Sequence, residues 1–279
     1  MKIVVVDHVY LEKRHIQKLK SMGDLEVFGE PPKTPDELKE RIRSADIVIV
    51  GWTDLTKSVI DSAKKLKMIS IWATTCHYAD LEAAKERGIV VTHVPGYATE
   101  SVAEHTFALL FAAVRRLTQA DKHVRNGGFD WRPFGGVELH GKTLGVVGTG
   151  SIGLRVAEIA RVFNMRVLGY DKYPNKKKAK DVGIEYVDLH TLLKESDFVT
   201  LHVTLTSETE GLMGKKEIEA MKKGAVIINT SQGKVIDERS LVDALKSGRV
   251  SYAGLDVLEK EPPNKDNPLF KLDNVVLSP

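Results

Sequence analysis

The sequence predicts an α/β protein built from two doubly wound parallel-sheet domains, and three observations carry that prediction. Short apolar runs alternate with helix-period segments along most of the chain. A glycine cluster, Gly148-Thr149-Gly150-Ser151-Ile152-Gly153, separates one such run from one such helix. Nearly 150 residues precede that cluster, enough for a domain of their own.

In the first part, strands are expected at Lys2–Val6, Leu25–Phe28, Ile47–Val50, Met68–Ala73 and Ile89–Thr92. Helical spacing fills the gaps at Glu12–Met22, Thr34–Arg43, Lys57–Lys65 and Leu81–Arg87. Thr56 and Asp80 stand where N-caps belong, and Gly88 where a helix ends in the left-handed conformation. A long helix follows over Ser101–Ala120, with Ser101 and Glu104 spaced as a capping box. Asp121–Leu139, rich in glycine and aromatics, reads as an exposed loop. Later strands are expected at Glu185–Val187, Phe198–His202, Ala225–Asn229, Val250–Leu255 and a buried Val275–Leu277. The domain boundary falls between Tyr97 and Ala98, giving units 1–97 and 98–279.

The glycine cluster follows the apolar run Thr143–Val147 and opens a helical pattern over Leu154–Phe163. The next run, Val167–Tyr170, ends at Asp171, 18 residues after Gly153. Strand, glycine turn, helix, strand and acid in that order bind a dinucleotide. Gly148, Gly150 and Gly153 allow a tight turn and a close approach to a pyrophosphate, and the helix N-terminus offers free N–H groups. Asp171 then accepts from the adenosine ribose. Lys176, Lys177, Lys178 and Lys180 admit either a solvated helix start or a 2′-phosphate site, and the carboxylate of Asp171 opposes the second.

A net charge of +3 gives no case for nucleic acid. A single cysteine, Cys76, excludes an intrachain disulfide and fits the cytoplasm. No apolar run reaches the length of a membrane span, and the N-terminal residues lack the pattern of a signal peptide. No His, Cys and carboxylate grouping has metal-ligand spacing, so no metal is expected.

Beyond the glycine turn, several segments resemble the D-2-hydroxyacid dehydrogenase family. They are Asp80–Ile89, Val94-Pro95-Gly96-Tyr97, Val102-Ala103-Glu104-His105-Thr106, Trp131-Arg132-Pro133-Phe134, Glu138–Gly145, Asp197–Val203 and Gly254-Leu255-Asp256-Val257. The resemblance implies a smaller flavodoxin-like cap domain that takes the substrate and a Rossmann domain that holds NAD. Hydride would pass between the nicotinamide and C2 of a small 2-hydroxy or 2-oxo acid. It further implies that Ser151 and Ile152 meet the pyrophosphate and Asp171 the ribose. Val203, Thr209, Thr230 and Ser231 would line the cofactor's path, and Asp256 would hold the carboxamide end. Thr74 and Thr75 fall where the cap's backbone would meet the substrate carboxylate.

The family's chemistry needs an arginine to clamp the carboxylate, a histidine to give a proton, and a glutamate to keep that histidine protonated. Glu261 stands at the glutamate's place. The arginine's place holds Gln232, which donates a hydrogen bond without charge. Lys234, two residues on, is a weaker substitute. The family's histidine comes next after Ser278-Pro279, so the sequence reads as a shortened piece, and His77, beside Thr74 and Thr75, is the candidate replacement. His202 is expected to support the cofactor fold, and His93 and His105 to be structural. Cys76 is a minor candidate for a reactive thiol.

Three functions stay open on this reading. One is an NAD-dependent oxidoreductase, another an NAD-binding relative without turnover that senses NAD or binds a partner, and the third an oxidoreductase whose substrate has no carboxylate to clamp. The apolar helix and aromatic loop over residues 101–140 are expected to pair two copies of the chain.

Overall fold

The computed structural model describes all residues, 1–279. They divide into two compact units, Met1–Tyr97 and Ala98–Pro279.

The first unit runs β1 (Lys2–Val5), α1 (Lys13–Met22), β2 (Asp24–Val27), α2 (Pro35–Ile42), β3 (Ile47–Val50), α3 (Lys57–Ser62), β4 (Met68–Ile71), α4 (Leu81–Glu86) and β5 (Val90–Thr92). All pairings are parallel, in the order β2-β1-β3-β4-β5. That is the flavodoxin-like order. Val4, Val48, Val50, Ile69 and Ile71 are fully buried, as strands covered on both faces require. The caps are local. Thr34 accepts from the Glu37 amide ahead of Pro35, and Asp80 accepts from the Ala83 amide. Thr56 is the N-cap residue of α3 but makes no side-chain cap bond.

The second unit opens with α5 (Thr99–Val114) and α6 (Leu117–Arg125), and a short 3-10 turn follows at Arg132–Phe134. Then come β6 (Thr143–Val147), α7 (Ser151–Val162), β7 (Arg166–Tyr170), α8 (Lys176–Val182), β8 (Ile184–Tyr186), α9 (Leu189–Glu195) and β9 (Phe198–Leu201). The unit closes with α10 (Lys215–Ala220), β10 (Ala225–Asn229), α11 (Glu238–Lys246), β11 (Val250–Leu255) and β12 (Val275–Leu277). The seven strands are ordered β12-β11-β10-β9-β6-β7-β8, a Rossmann sheet with one further strand. The order reverses between β6 and β9, which places the switch point at the ends of those two strands. One apolar cluster joins α5 and α7 to the sheet through Leu110, Leu144, Val156 and Phe198, and another joins α9, α10 and α11 to it through Leu192, Ile218 and Leu241. Each such fully buried side chain contributes about 1.5–3 kcal/mol. The ion pairs are mostly exposed, at about 0–1 kcal/mol each, so apolar burial carries the fold.

Four expectations need correction. The helix over Ser101–Ala120 is two helices, because Arg116 adopts a left-handed conformation at φ 49°. Its guanidinium reaches the Pro133 carbonyl and lies 5.7 Å from the centre of the Phe134 ring, contacts that hold the break. The helical residues continue to Arg125, so the loop expected from Asp121 begins only after that. The capping box is also absent. Helix α5 starts at Thr99, and the Ser101 hydroxyl lies inside its first turn, donating to the Ala98 carbonyl. Finally, β12 is an edge strand rather than a buried one, with Val275 and Val276 only half-buried.

Candidate active site

The glycine turn connects β6 to α7. Gly148 has φ +91°, a region open to glycine, and a side chain there would meet the His202 carbonyl. A Cβ at Gly153 would lie 2.0 Å from the Gly148 oxygen, so the third glycine lets the helix close on the turn. A Cβ at Gly150 would meet nothing within 4 Å, and this is the open side of the turn. Asp171, just past β7, accepts from the Thr149 amide at 2.7 Å and from its hydroxyl at 3.1 Å. Its other oxygen accepts from the Tyr173 amide at 2.8 Å. The Tyr186 hydroxyl, also 2.7 Å from the Thr149 hydroxyl, completes the brace. Turn, helix N-terminus and acid thus form one rigid group, and these residues fit a dinucleotide.

His202 follows β9 across the switch point. Its Nε2 is sealed from water with no hydrogen-bond partner, although the residue is partly exposed elsewhere. Burial pushes its pKa down to about 3. The imidazole is therefore neutral at ordinary pH. Val203 follows it, half-buried, and packs on the sheet's core. Thr209 accepts from the Thr206 amide at 2.8 Å and donates to the Thr204 carbonyl at 2.6 Å, which folds the segment after Val203 into a turn.

The segment after β10 is organised by Asn229, fully buried at the strand's end. Its side-chain Oδ1 accepts from the Ser231 amide and hydroxyl, and its Nδ2 donates to the Gln232 carbonyl at 2.9 Å. Thr230 is tied to Thr106 of α5, hydroxyl to hydroxyl, at 3.0 Å. Gln232 itself is extended and half-buried. Gly233 then packs against the backbone of Leu258, where a Cβ would lie 1.8 Å from the carbonyl oxygen. Glu261 is exposed and accepts from the Leu258 amide at 2.9 Å. The structure therefore brings Gln232 and Glu261 onto two loops locked together by one glycine contact. Lys234 lies in the short 3-10 turn just after, exposed.

Asp256 ends β11. Its Oδ1 accepts from His105 Nε2 at 3.0 Å and from the Ser278 hydroxyl at 2.7 Å. The sequence reading did not connect these three residues. They are 151 and 22 positions apart, and only the spacing of Val102–Thr106 on one helix could have hinted at a polar pair facing the sheet.

In the first unit, Thr74, Thr75 and His77 share one loop after β4. The Thr75 hydroxyl lies 2.5 Å from His77 Nδ1, and His93 Nδ1 lies 3.1 Å from the Thr74 carbonyl. The His77 ring packs on Tyr78 at 3.9 Å between centres. Burial lowers its pKa, a shift that Asp54 opposes, so the ring carries less charge near neutrality than an ordinary histidine. Cys76 is half-buried against this unit's core. Beside the loop, Trp52 packs edge-on against Trp72 and Tyr78. The Trp52 backbone is held by buried Asp7, which accepts from the amides of Gly51, Trp52 and Thr53.

No three His, Cys, Asp or Glu side chains gather as a metal site, and no helix is long and apolar enough to cross a membrane.

A parallel unit with a glycine turn at its switch point and an acid closing the next strand defines a dinucleotide-binding protein of the dehydrogenase type. Comparison with known sequences is consistent with that class. Residues 107–279 match the family described as D-isomer specific 2-hydroxyacid dehydrogenase, NAD binding domain. The chain belongs to the D-isomer specific 2-hydroxyacid dehydrogenase family. It is 43% identical to a D-3-phosphoglycerate dehydrogenase of Methanocaldococcus jannaschii over all of this chain and 53% of that protein. It is 42% identical to a glyoxylate reductase of Korarchaeum cryptofilum, over 96% of this chain and 83% of that protein. The chain thus spans about half the length of the first relative. Among solved structures it resembles an acyclic imino acid reductase in complex with NADPH and D-Arg, with TM-score 0.91 and 41% identity, over 100% of this chain and 89% of that one. A D-lactate dehydrogenase from Aquifex aeolicus, complexed with NAD and lactic acid, gives TM-score 0.89 and 34% identity over 99% of this chain and 87% of that one.

Proposed function

We propose that this protein is an NAD-dependent oxidoreductase acting between the 2-hydroxy and 2-oxo forms of a small carboxylic acid. The observation that carries the reading is the braced glycine turn with Asp171, in a unit that matches the family's NAD binding domain. Bound NAD supplies or accepts the hydride. The amides of Ser151 and Ile152 bind the pyrophosphate at the start of α7. Asp171 accepts from the ribose hydroxyls, and its charge disfavours a 2′-phosphate. Val203, Thr209, Thr230 and Ser231 line the path, and Asp256 takes the carboxamide.

The backbone at Thr74 and Thr75 binds the substrate carboxylate. Gln232 donates a neutral hydrogen bond where the family places an arginine, and Glu261 supports the proton donor. Within residues 1–279 the candidate is His77, favoured by its place beside Thr75 and opposed by its lowered pKa. The protein is proposed to work in the cytoplasm as a homodimer paired through residues 101–140. Phe129 is 94% and Trp131 79% exposed there, large apolar groups of the kind a partner covers.

Gln232 favours a second reading. A protonated imine is cationic, so an arginine in this place would repel it and a glutamine would not. The imine also carries its proton already, so hydride addition needs no acid. The similarity to an imino acid reductase supports the same reading.

One experiment addresses both. NADH consumption is followed with glyoxylate, hydroxypyruvate, pyruvate and an aromatic 2-oxo acid, each alone and each with excess ammonium or methylamine. A rate with the acids alone is expected for the first reading, and a rate only with amine for the second. NADH binding without any rate would overturn both and leave a nucleotide-binding protein.

A further inference from the structure

Helix α5 ties down the ends of three adjacent strands. Thr106 holds Thr230 after β10, and His105 holds Asp256 after β11 and Ser278 after β12. Leu109, one turn further along α5, fills the space beside Gly254. The backbone of Asp256 is fixed as well, its amide donating to the Asn229 carbonyl at 3.0 Å. The amide of Ser278 donates to the Leu255 carbonyl at 3.1 Å.

The side-chain triangle is asymmetric. His105 Nε2 is 3.0 Å from Asp256 Oδ1 and 2.9 Å from the Ser278 hydroxyl, which is itself 2.7 Å from the same Oδ1. One arrangement of protons satisfies all three contacts. The serine donates to Oδ1, and the N–H at Nε2 is shared between Oδ1 and the serine oxygen. Both donors therefore act on one oxygen. Asp256 Oδ2 makes no hydrogen bond within the chain, and the aspartate side chain keeps 29% of its surface exposed. A carboxylate with one oxygen fixed by two donors and the other left open is a pre-set acceptor for an external N–H donor.

We propose that His105 and Ser278 are positioning residues for the nicotinamide end of the cofactor. By holding Oδ1 they aim Oδ2 at the carboxamide N–H of NAD. The inference rests on the reading of Asp256 given above. The two residues touch no reacting atom, so their effect is on binding of the nicotinamide half alone.

The test compares two ligands by calorimetric titration of the full chain. One is NADH. The other is ADP-ribose, which keeps the adenosine, pyrophosphate and ribose but lacks nicotinamide. Asp256→Ala reports on the underlying reading, and His105→Phe and Ser278→Ala report on the inference. His105→Gln, whose side-chain amide can donate from nearly the place of Nε2, is the conservative rescue. In His105→Phe and Ser278→Ala, NADH affinity is expected to fall by about five- to twentyfold, the size of one misdirected hydrogen bond to a charged acceptor. ADP-ribose affinity should stay within about twofold of the parent. His105→Gln should recover most of the NADH affinity.

Equal losses for both ligands would mean a merely structural tie and overturn the inference, and so would unchanged NADH affinity in both variants. If Asp256→Ala loses NADH selectively while His105→Phe and Ser278→Ala do not, the inference fails and the reading of Asp256 stands. If Asp256→Ala loses nothing, that reading fails too. A parent chain that binds neither ligand overturns the dinucleotide reading itself. Should His105→Phe fail to fold, the comparison of Ser278→Ala with His105→Gln decides in its place.

Discussion

Gly233 touches the backbone of Leu258 so closely that a single methyl group has no room. A Cβ there would lie 1.8 Å from the Leu258 oxygen and 2.7 Å from the Glu259 nitrogen. These are backbone atoms, so no side chain can swing aside. The contact fixes the loop of Gln232 against the loop of Glu261, whose carboxylate in turn accepts from the Leu258 amide. Gly233→Ala should therefore cost about 1–3 kcal/mol, the usual range for overpacking. Chemical denaturation of the full chain measures this. Turnover should fall further than stability, because the two loops part. An alanine variant with parent stability and parent rate would show that the contact matters to neither.

Gln232→Arg tests the proposed contact between Gln232 and the substrate carboxylate. A charge-assisted bidentate pair is roughly twice as strong as a neutral hydrogen bond. Placed on the extended segment before Gly233, it should raise kcat/KM for a 2-oxo acid about tenfold, close to 1.4 kcal/mol. Activity with an amine present should fall at the same time if the substrate is a protonated imine. A variant with neither change would remove Gln232 from the list of substrate contacts.

Asp171 serves both the turn and the ribose on our reading. Asp171→Ala removes the acceptor for the Thr149 amide and hydroxyl as well as the one for the ligand. NADH affinity should drop about tenfold or more, since bonds to a charged acceptor contribute about 1.5–3 kcal/mol. The preference for NADH over NADPH should shrink, because the repulsion of a 2′-phosphate is gone. Titration with both cofactors checks this, and an undiminished preference would mean that the discrimination arises elsewhere.

His202 gives the clearest pH signature. Its folded pKa of about 3 lies below the ordinary value of 6.5, because burial disfavours the charged ring. The unfolded chain therefore takes up a proton as pH falls through 6.5, and the folded chain does not until about 3. The sign follows from linkage. Stability is fully present above 6.5 and is lost between 6.5 and about 3, at no more than about 1.4 kcal/mol per pH unit. His202→Leu should flatten that acid limb in denaturation curves collected from pH 7 to pH 4. The His202 ring resonances should not titrate above pH 4. Titration near 6.5 would refute the buried, neutral assignment.

The sequence made some elements plain because their cause is local. Asp80 caps the helix beginning at Leu81, and Gly88 ends it, through bonds spanning only a few residues. The turn from Gly148 to Gly153 was legible for the same reason. Alternation of apolar and helical segments marked both parallel sheets, since strands buried on both faces must read as continuous apolar runs. The break at Arg116 was not legible. It depends on Pro133 and Phe134, which meet that arginine only after the intervening segment has folded back. The exposed edge position of β12 was also hidden. Val275-Val276-Leu277 is as apolar as a central strand, and only the sheet order shows that it has a neighbour on one side.

The candidate site divides along the same line. Residue types and spacing marked the nucleotide turn and the acid after it, whose chemistry is carried in short segments of the chain itself. The places proposed for Gln232 and Glu261 rest instead on the resemblance to the family. Tertiary structure alone decided which oxygen of Asp256 is held, that Gly233 locks two loops together, and that Nε2 of His202 is sealed from water. Each depends on groups far apart in sequence meeting within a few ångströms, and on the burial that follows. Side-chain identity sets what a group can donate or accept, but distance and solvent access set what it does.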